Sequence, residues 1–229
     1  MVNITENFKK VQDRINTSAL KLGRDPKQIK LIAVTKTIDA DIIKEAISSG
    51  IIAIGENKVQ DAKDKFIAIG NTIEWHMIGA LQTNKVKDAV RIFDMIHSLD
   101  RINLAQEIDK EGKKADKVIK TLIEVNITED PAKHGILIKD IWGLLQAVAN
   151  MTHINVEGLM TIAPYGEDTK KIRKCFYILR RLAEDIEQDM LNNINMKYLS
   201  MGMSNDFEIA IEEGANILRI GTAIFGERL

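Results

Sequence analysis

A single (β/α)8 barrel spanning residues 1–229 is the fold this sequence predicts, and three observations predict it. Short apolar runs of strand character alternate with helix-period segments until eight strands have been counted. The 229 residues are slightly fewer than the roughly 250 typical of such a barrel. All three prolines, Pro26, Pro131 and Pro164, fall between the elements, where a missing backbone N–H breaks no ladder. An open doubly wound sheet is the competing arrangement, but the first strand lacks the Gly-x-Gly-x-x-Gly turn of that fold.

The N-terminal segment places Phe8, Val11, Ile15 and Leu22 on a 3.6-residue period. Asn3 with Glu6 resembles a capping box there, and Gly23 stops the helix. Leu31 to Lys36 reads as the first strand. Its helix carries Ile42, Ile43, Ala46 and Ile47, with Asp39 as N-cap and Gly50 as the stop. Ile51 to Glu56 is the second strand, with a helix from Val59 to Ile69. Glu74 to Gly79 precedes a helix over Thr83 to Val90, and Asp94 to Leu99 precedes one over Ile102 to Gly112. Val118 to Asn126 is the fifth strand, with its helix over Ile138 to Ala149. Ile154 to Thr161 leads into the long helix Lys170 to Leu191, and Lys197 to Met201 into Asp206 to Glu213. Ile217 to Gly221 is the eighth strand. Little helix follows it, so the N-terminal helix is expected to cover the flank of the last strand.

Composition narrows the function. With 45% hydrophobic and 28% charged residues the chain is ordinary globular material. A net charge of −1 offers no nucleic-acid or membrane surface. The start, Met1-Val2-Asn3-Ile4-Thr5-Glu6, has neither a basic nor an apolar segment of signal-peptide kind, so a cytoplasmic location is expected. No apolar run approaches the roughly 18 residues of a spanning helix. The single cysteine, Cys175, shares a helical face with Ile172, Leu179, Leu182 and Ile186 and reads as an inert core residue. The histidines, His76, His97, His134 and His153, show no metal-ligand spacing.

The chemistry gathers at the carboxyl ends of the strands, the face that carries the active site in this fold. Lys36 closes the run Leu31-Ile32-Ala33-Val34-Thr35-Lys36. A lysine held at the end of a buried strand is partly desolvated, which lowers its pKa and frees its amine to condense with a carbonyl. The other ends read Glu56-Asn57, Gly79, Ser98, Asn126, Thr161, Ser200 with Gly202 to Ser204, and Arg219 with Gly221-Thr222. The last two are glycine, serine and threonine turns after strands seven and eight, the usual phosphate cradle of the fold. An amine beside a phosphate cradle fits a phosphorylated aldehyde or ketone. A sugar phosphate and pyridoxal phosphate both answer that description. Arg219, on the same strand face as Gly221, suits a ring nitrogen, which a neighbouring cation keeps unprotonated.

These segments resemble the pyridoxal phosphate homeostasis protein family. The resemblance rests on Ala33-Val34-Thr35-Lys36, Ile54-Gly55-Glu56-Asn57, Trp75 to Lys85, His97-Ser98-Leu99-Asp100-Arg101, Gly158 to Ala163, Ser200 to Ser204 and Arg219 to Gly226. It implies an alanine racemase-like barrel without that class's C-terminal β domain. It also implies pyridoxal 5'-phosphate held as an internal aldimine, and no catalysis of its own. On the same resemblance Lys36 is the Schiff-base lysine, Ser204, Gly221 and Thr222 hold phosphate, Arg219 meets the ring nitrogen and Asn57 lines the pocket. His76 and Ser200 follow less directly, since both also suit barrel-interior packing. The partners implied are the cofactor and the apo forms of pyridoxal phosphate enzymes, and a monomer is expected. A racemase is the alternative function. It needs a second acid/base, a tyrosine from an additional domain, and of the three tyrosines only Tyr165 falls near the active face. A Schiff-base aldolase is the third possibility and lacks an evident acid/base partner for Lys36.

Overall fold

The computed structural model describes residues 3–164, 166 and 168–227. Tyr165 therefore lies outside the described residues. Eight parallel strands close into a barrel in sequence order. They are β1 (Lys30–Val34), β2 (Ala53–Glu56), β3 (Glu74–Met77), β4 (Met95–Leu99), β5 (Ile119–Glu124), β6 (Ile154–Met160), β7 (Ile194–Ser200) and β8 (Ile217–Ile220). The helices are α1 (Ile4–Lys21), α2 (Ala40–Ser48), α3 (Val59–Ile69), α4 (Val86–Ile92), α5 (Ile102–Ala115), α6 (Ile141–Val148), α7 (Thr169–Gln188), α8 (Phe207–Glu212) and α9 (Thr222–Phe225).

The two-residue strand period sorts each strand into an inward and an outward set. Inward residues Ile32, Ala53, Met95, Leu122, Met160 and Ile217 form an apolar plug with Tyr198. The outward set, including Ala33, Ile54, Trp75, Ile96 and Leu218, packs under the helices as a separate and larger core. Ile32 pairs with Arg219 across the β1–β8 seam, so Arg219 shares the inward face. By the same alternation Val34 faces inward, and Lys36 follows two residues later in the turn beyond the strand.

The N-terminal helix covers the flank of β8 as expected, by packing against α8 and α9. Its Asn3 side chain accepts from the Glu6 N–H at 3.0 Å. The Asn7 amide donates to the Ile224 carbonyl at 3.1 Å, and Arg14 pairs with Glu208. Just beyond the helix, Arg24 donates to the carbonyls of Ile211 and Ala215 at 2.6 and 2.8 Å.

Element ends differ from the sequence reading where capping and pairing compete. β1 stops at Val34 and Lys36 sits in the turn that follows, although the Thr35 N–H still bonds the Gly55 carbonyl at 3.0 Å. Asp39 occupies the N-cap of α2 without a side-chain bond. β7 begins at Ile194, because Ile194-Asn195-Met196 already alternates. A four-residue helix, α9, follows β8 where little helix was expected.

Candidate functional site

All seven residues expected to form the site belong to four consecutive staves of the closed barrel, with Ser200 closing β7. Ser204 follows β7, Gly221 and Thr222 follow β8, Lys36 follows β1 and Asn57 follows β2, while Arg219 lies within β8. A Cβ built on Gly221 would stand 3.4 Å from that of Val34, two residues before Lys36. The loop after β8 is thus seated against the strand that carries the lysine.

The platform under Lys36 is a buried ionic clamp. Glu56, wholly buried, accepts from the Thr35 hydroxyl at 2.6 Å and from Lys65 Nζ at 2.7 Å. Lys65 also donates to the Thr35 carbonyl at 2.8 Å. Thr37, on the other side of Lys36, has φ 65°, a left-handed conformation that is uncommon for a β-branched residue and costs about 1–3 kcal/mol. The lysine is therefore held between an anchored residue and a strained one. Its side chain is half-buried.

The β7 and β8 turns interlock. Gly202 has φ 94°, and a Cβ there would meet the Ala210 Cβ at 2.6 Å, so only glycine fits. The Gly202 carbonyl accepts from the Arg219 N–H at 3.0 Å. Asp206, whose carboxyl burial pushes up, accepts the Met203 N–H at 2.5 Å. The Ser204 hydroxyl accepts from the Ala223 N–H in the first turn of α9 at 3.2 Å. Ser204 is half-buried and Thr222 exposed.

Arg219 is buried, 4% exposed. Burial pulls its pKa down to about 10, opposed by the charges of Glu124 and Asp206, and it remains a cation at neutral pH. It donates to the Ser200 carbonyl and hydroxyl at 2.8 and 2.7 Å and to the Thr161 carbonyl at 2.9 Å. Among the described residues these acceptors take three of its five N–H groups. Ser200 lies lower than the other expected residues. It is fully buried, with its hydroxyl between Arg219 and His97 Nδ1, which stands 3.0 Å away.

Two features escaped the sequence reading. Glu124, at the end of β5, is a buried carboxyl whose pKa burial raises to about 7, with the Asp100 charge adding and Arg219 opposing. Its register partner Met160 belongs to the inner plug, so it faces inward near the mouth. The signal was its place two residues before Asn126. The second feature is that His76 and His97 meet in the barrel interior, 3.0 Å between ring nitrogens.

Fold and mouth together define a barrel of the alanine racemase N-terminal domain class, and the family description of that domain matches residues 3–229. Within that class the chain belongs to the pyridoxal phosphate homeostasis protein family. The relative of that name from Aquifex aeolicus is 41% identical, with 99% of each chain covered. The Escherichia coli K12 relative is 37% identical, covering 100% of this chain and 98% of its own. Among solved structures, PipY of Synechococcus elongatus with pyridoxal phosphate bound superposes with a TM-score of 0.86 at 31% identity, over 98% of this chain and 100% of that one. Alanine racemase of Clostridium difficile 630 superposes at TM-score 0.74 and 13% identity, over 99% of this chain but 57% of its own. That last likeness concerns the fold alone.

Proposed function

We propose that this chain is a carrier of pyridoxal 5'-phosphate in the cytoplasm, holding the cofactor covalently and handing it to apo-enzymes without turning over amino acids. The observation that carries the reading is the gathering of one amine, one guanidinium and a hydroxyl-lined turn on four neighbouring staves of the mouth. The name of the full-length relatives and the ligand in the PipY structure support it.

When bound, this cofactor supplies an aldehyde that condenses with amines and a ring that can draw electrons. Lys36 Nζ would hold the aldehyde carbon, and Ser204, Gly221 and Thr222 would take the phosphate. Asn57 would line the mouth on the β2 side. Arg219 would present one N–H to the ring nitrogen. As a permanent donor it keeps that nitrogen unprotonated and the ring a poor electron sink, which favours storage over amino-acid chemistry. The cation is set before any ligand arrives, because its carbonyl acceptors are already in place.

Borohydride reduction of the loaded protein followed by peptide mapping tests the attachment. The label is expected on Lys36 and lost in Lys36→Ala, with the melting profile intact; label on another lysine would overturn the site. Single amino-acid enantiomers incubated with the loaded protein test the carrier reading. Unchanged chirality with transfer of cofactor to an added apo-enzyme is expected. Turnover near about 10 per second, a median for enzymes, would establish the racemase reading in its place.

A further inference from the structure

A barrel interior of this type is normally filled with branched apolar side chains. Here two imidazoles cut through the plug, and each uses both ring nitrogens. Starting at the floor, Lys30 and His76 Nε2 both reach Glu74 Oε2, the imidazole at 3.3 Å. His76 Nδ1 meets His97 Nε2 at 3.0 Å, the rings lying edge to face. His97 Nδ1 meets Ser200 Oγ at 3.0 Å, and Ser200 Oγ meets Arg219 at 2.7 Å. His76, His97 and Ser200 are at most 1% exposed, while the Glu74 side chain is 45% exposed. The series thus runs from solvent at the floor to the guanidinium below the mouth.

The chemistry of the two ends fixes the direction of every bond between them. A guanidinium only donates, so Ser200 Oγ accepts from Arg219, and the carboxylate at the other end leaves a lone pair on His97 Nδ1, to which Ser200 gives its own proton. His97 then carries its proton on Nε2 and gives it to His76 Nδ1. His76 in turn carries its proton on Nε2, facing a carboxylate that only accepts. Reversing any one bond would set two protons, or two lone pairs, against each other. The scheme needs each imidazole to hold one proton. Burial, the largest effect on both rings, does lower both histidines, His97 well below its usual range, with nearby cations adding. Aligned bonds polarise one another, and here each turns a lone pair toward Arg219. No carboxylate among the described residues forms an ion pair with this buried cation, although the charges of Glu124 and Asp206 reach it; the relay adds the influence of Glu74 from the far end of the barrel.

We infer that Glu74, His76 and His97 are positioning residues for Arg219, joined to it through Ser200 as a one-directional hydrogen-bond relay across the barrel. Glu74 and Lys30, on the face opposite the ligand mouth, thereby set how Arg219 is oriented and polarised. The relay belongs to the protein itself. Only the final link, from Arg219 to a pyridine nitrogen, rests on the function proposed above.

Nitrogen-15 NMR of the histidine side chains in the cofactor-free protein tests the direction. The expected spectrum at neutral pH has His76 and His97 both neutral and both protonated on Nε2. Glu74→Leu removes the terminal acceptor, and both rings should lose their single tautomer, His97 included although it does not touch residue 74. Glu74→Gln keeps an accepting oxygen, so the tautomers should persist; it also guards against a Leu variant that fails to fold. An Nδ1–H tautomer in the wild type, or an unmoved His97 in a folded Glu74→Leu, would overturn the relay. The last link is read from the pH titration of the bound cofactor's absorbance, which should shift in Glu74→Gln. An unmoved titration with the expected tautomers would overturn the link to the ring and leave the relay standing. Failure to bind pyridoxal phosphate at all would instead count against the proposed function, without touching the tautomers.

Discussion

At the scale of single residues, the site divides into groups that hold a ligand and groups that set its electrical surroundings. In the function proposed above, Ser204 and Thr222 are of the first kind. Each hydroxyl bound to a phosphate oxygen contributes a charge-assisted bond of about 1.5–3 kcal/mol. Equilibrium dialysis of Ser204→Ala with Thr222→Ala should therefore show cofactor retention weakened by at least tenfold, with the absorbance spectrum of the bound fraction unchanged. Glu124 belongs to the second kind. Its pKa of about 7 in the folded protein stands above its ordinary 4.5. The folded state thus binds this proton more tightly than the unfolded chain, a stabilisation fully present below about 4.5 and lost as the pH rises through 7. A difference of that size is worth on the order of 3 kcal/mol. Urea denaturation of Glu124→Gln should show the variant gaining on the wild type between pH 5 and pH 8. The buried histidines act in the opposite sense on both proteins and cancel from the comparison. Lys36 and Arg219 stand out in the sequence because each is a charge within or just beyond an apolar strand. Glu124 does not, because its spacing from Asn126 marks only a shared face, and the register of β5 with β6 is what shows that face to be the inward one.

At the scale of elements, the strands were legible and their interior contacts were not. Short apolar runs flanked by turn residues identified all eight strands, and errors were confined to their ends. The meeting of His76 with His97 depends on the pairing of β3 with β4, where His76 lies opposite Met95, and no periodicity within either strand reveals it. Gly158 is similar: it has φ 148°, and a Cβ there would fall 1.9 Å from the Tyr198 carbonyl. It marks a shift in the β6–β7 register that reads in the sequence only as a glycine inside a strand. The same scale governs the Thr35, Glu56 and Lys65 clamp, which ties the end of β1 to β2 and α3. Lys65→Met removes one partner and leaves a buried carboxylate uncompensated, a loss of about 3–5 kcal/mol. Chemical denaturation should register that loss. The variant with both Glu56→Leu and Lys65→Met should recover much of it, while the Lys36 amine, no longer anchored at Thr35, should bind aldehyde more weakly.

At the scale of the whole molecule, a ligand that touches β7, β8, β1 and β2 bridges the seam at which the barrel closes. Binding to the folded state alone adds about 2.7 kcal/mol at a free cofactor concentration of 100 Kd. For a domain of this size each kcal/mol moves the midpoint by about 2–4 °C. Thermal melts should rise by roughly 5–10 °C on saturation, and by much less in Lys36→Ala. The seam has a further consequence, in time. Lys36 leaves the ribosome early, whereas Arg219, Gly221 and Thr222 come some 180 residues later. At about 5–20 residues per second the amine waits roughly 10–40 s for the rest of its pocket. A nascent chain arrested before β8 has its lysine but neither the guanidinium nor the phosphate turn, so it captures no cofactor durably. On the function proposed above, loading would report that translation has passed the last strand, and unfinished chains would leave the supply of a reactive aldehyde untouched.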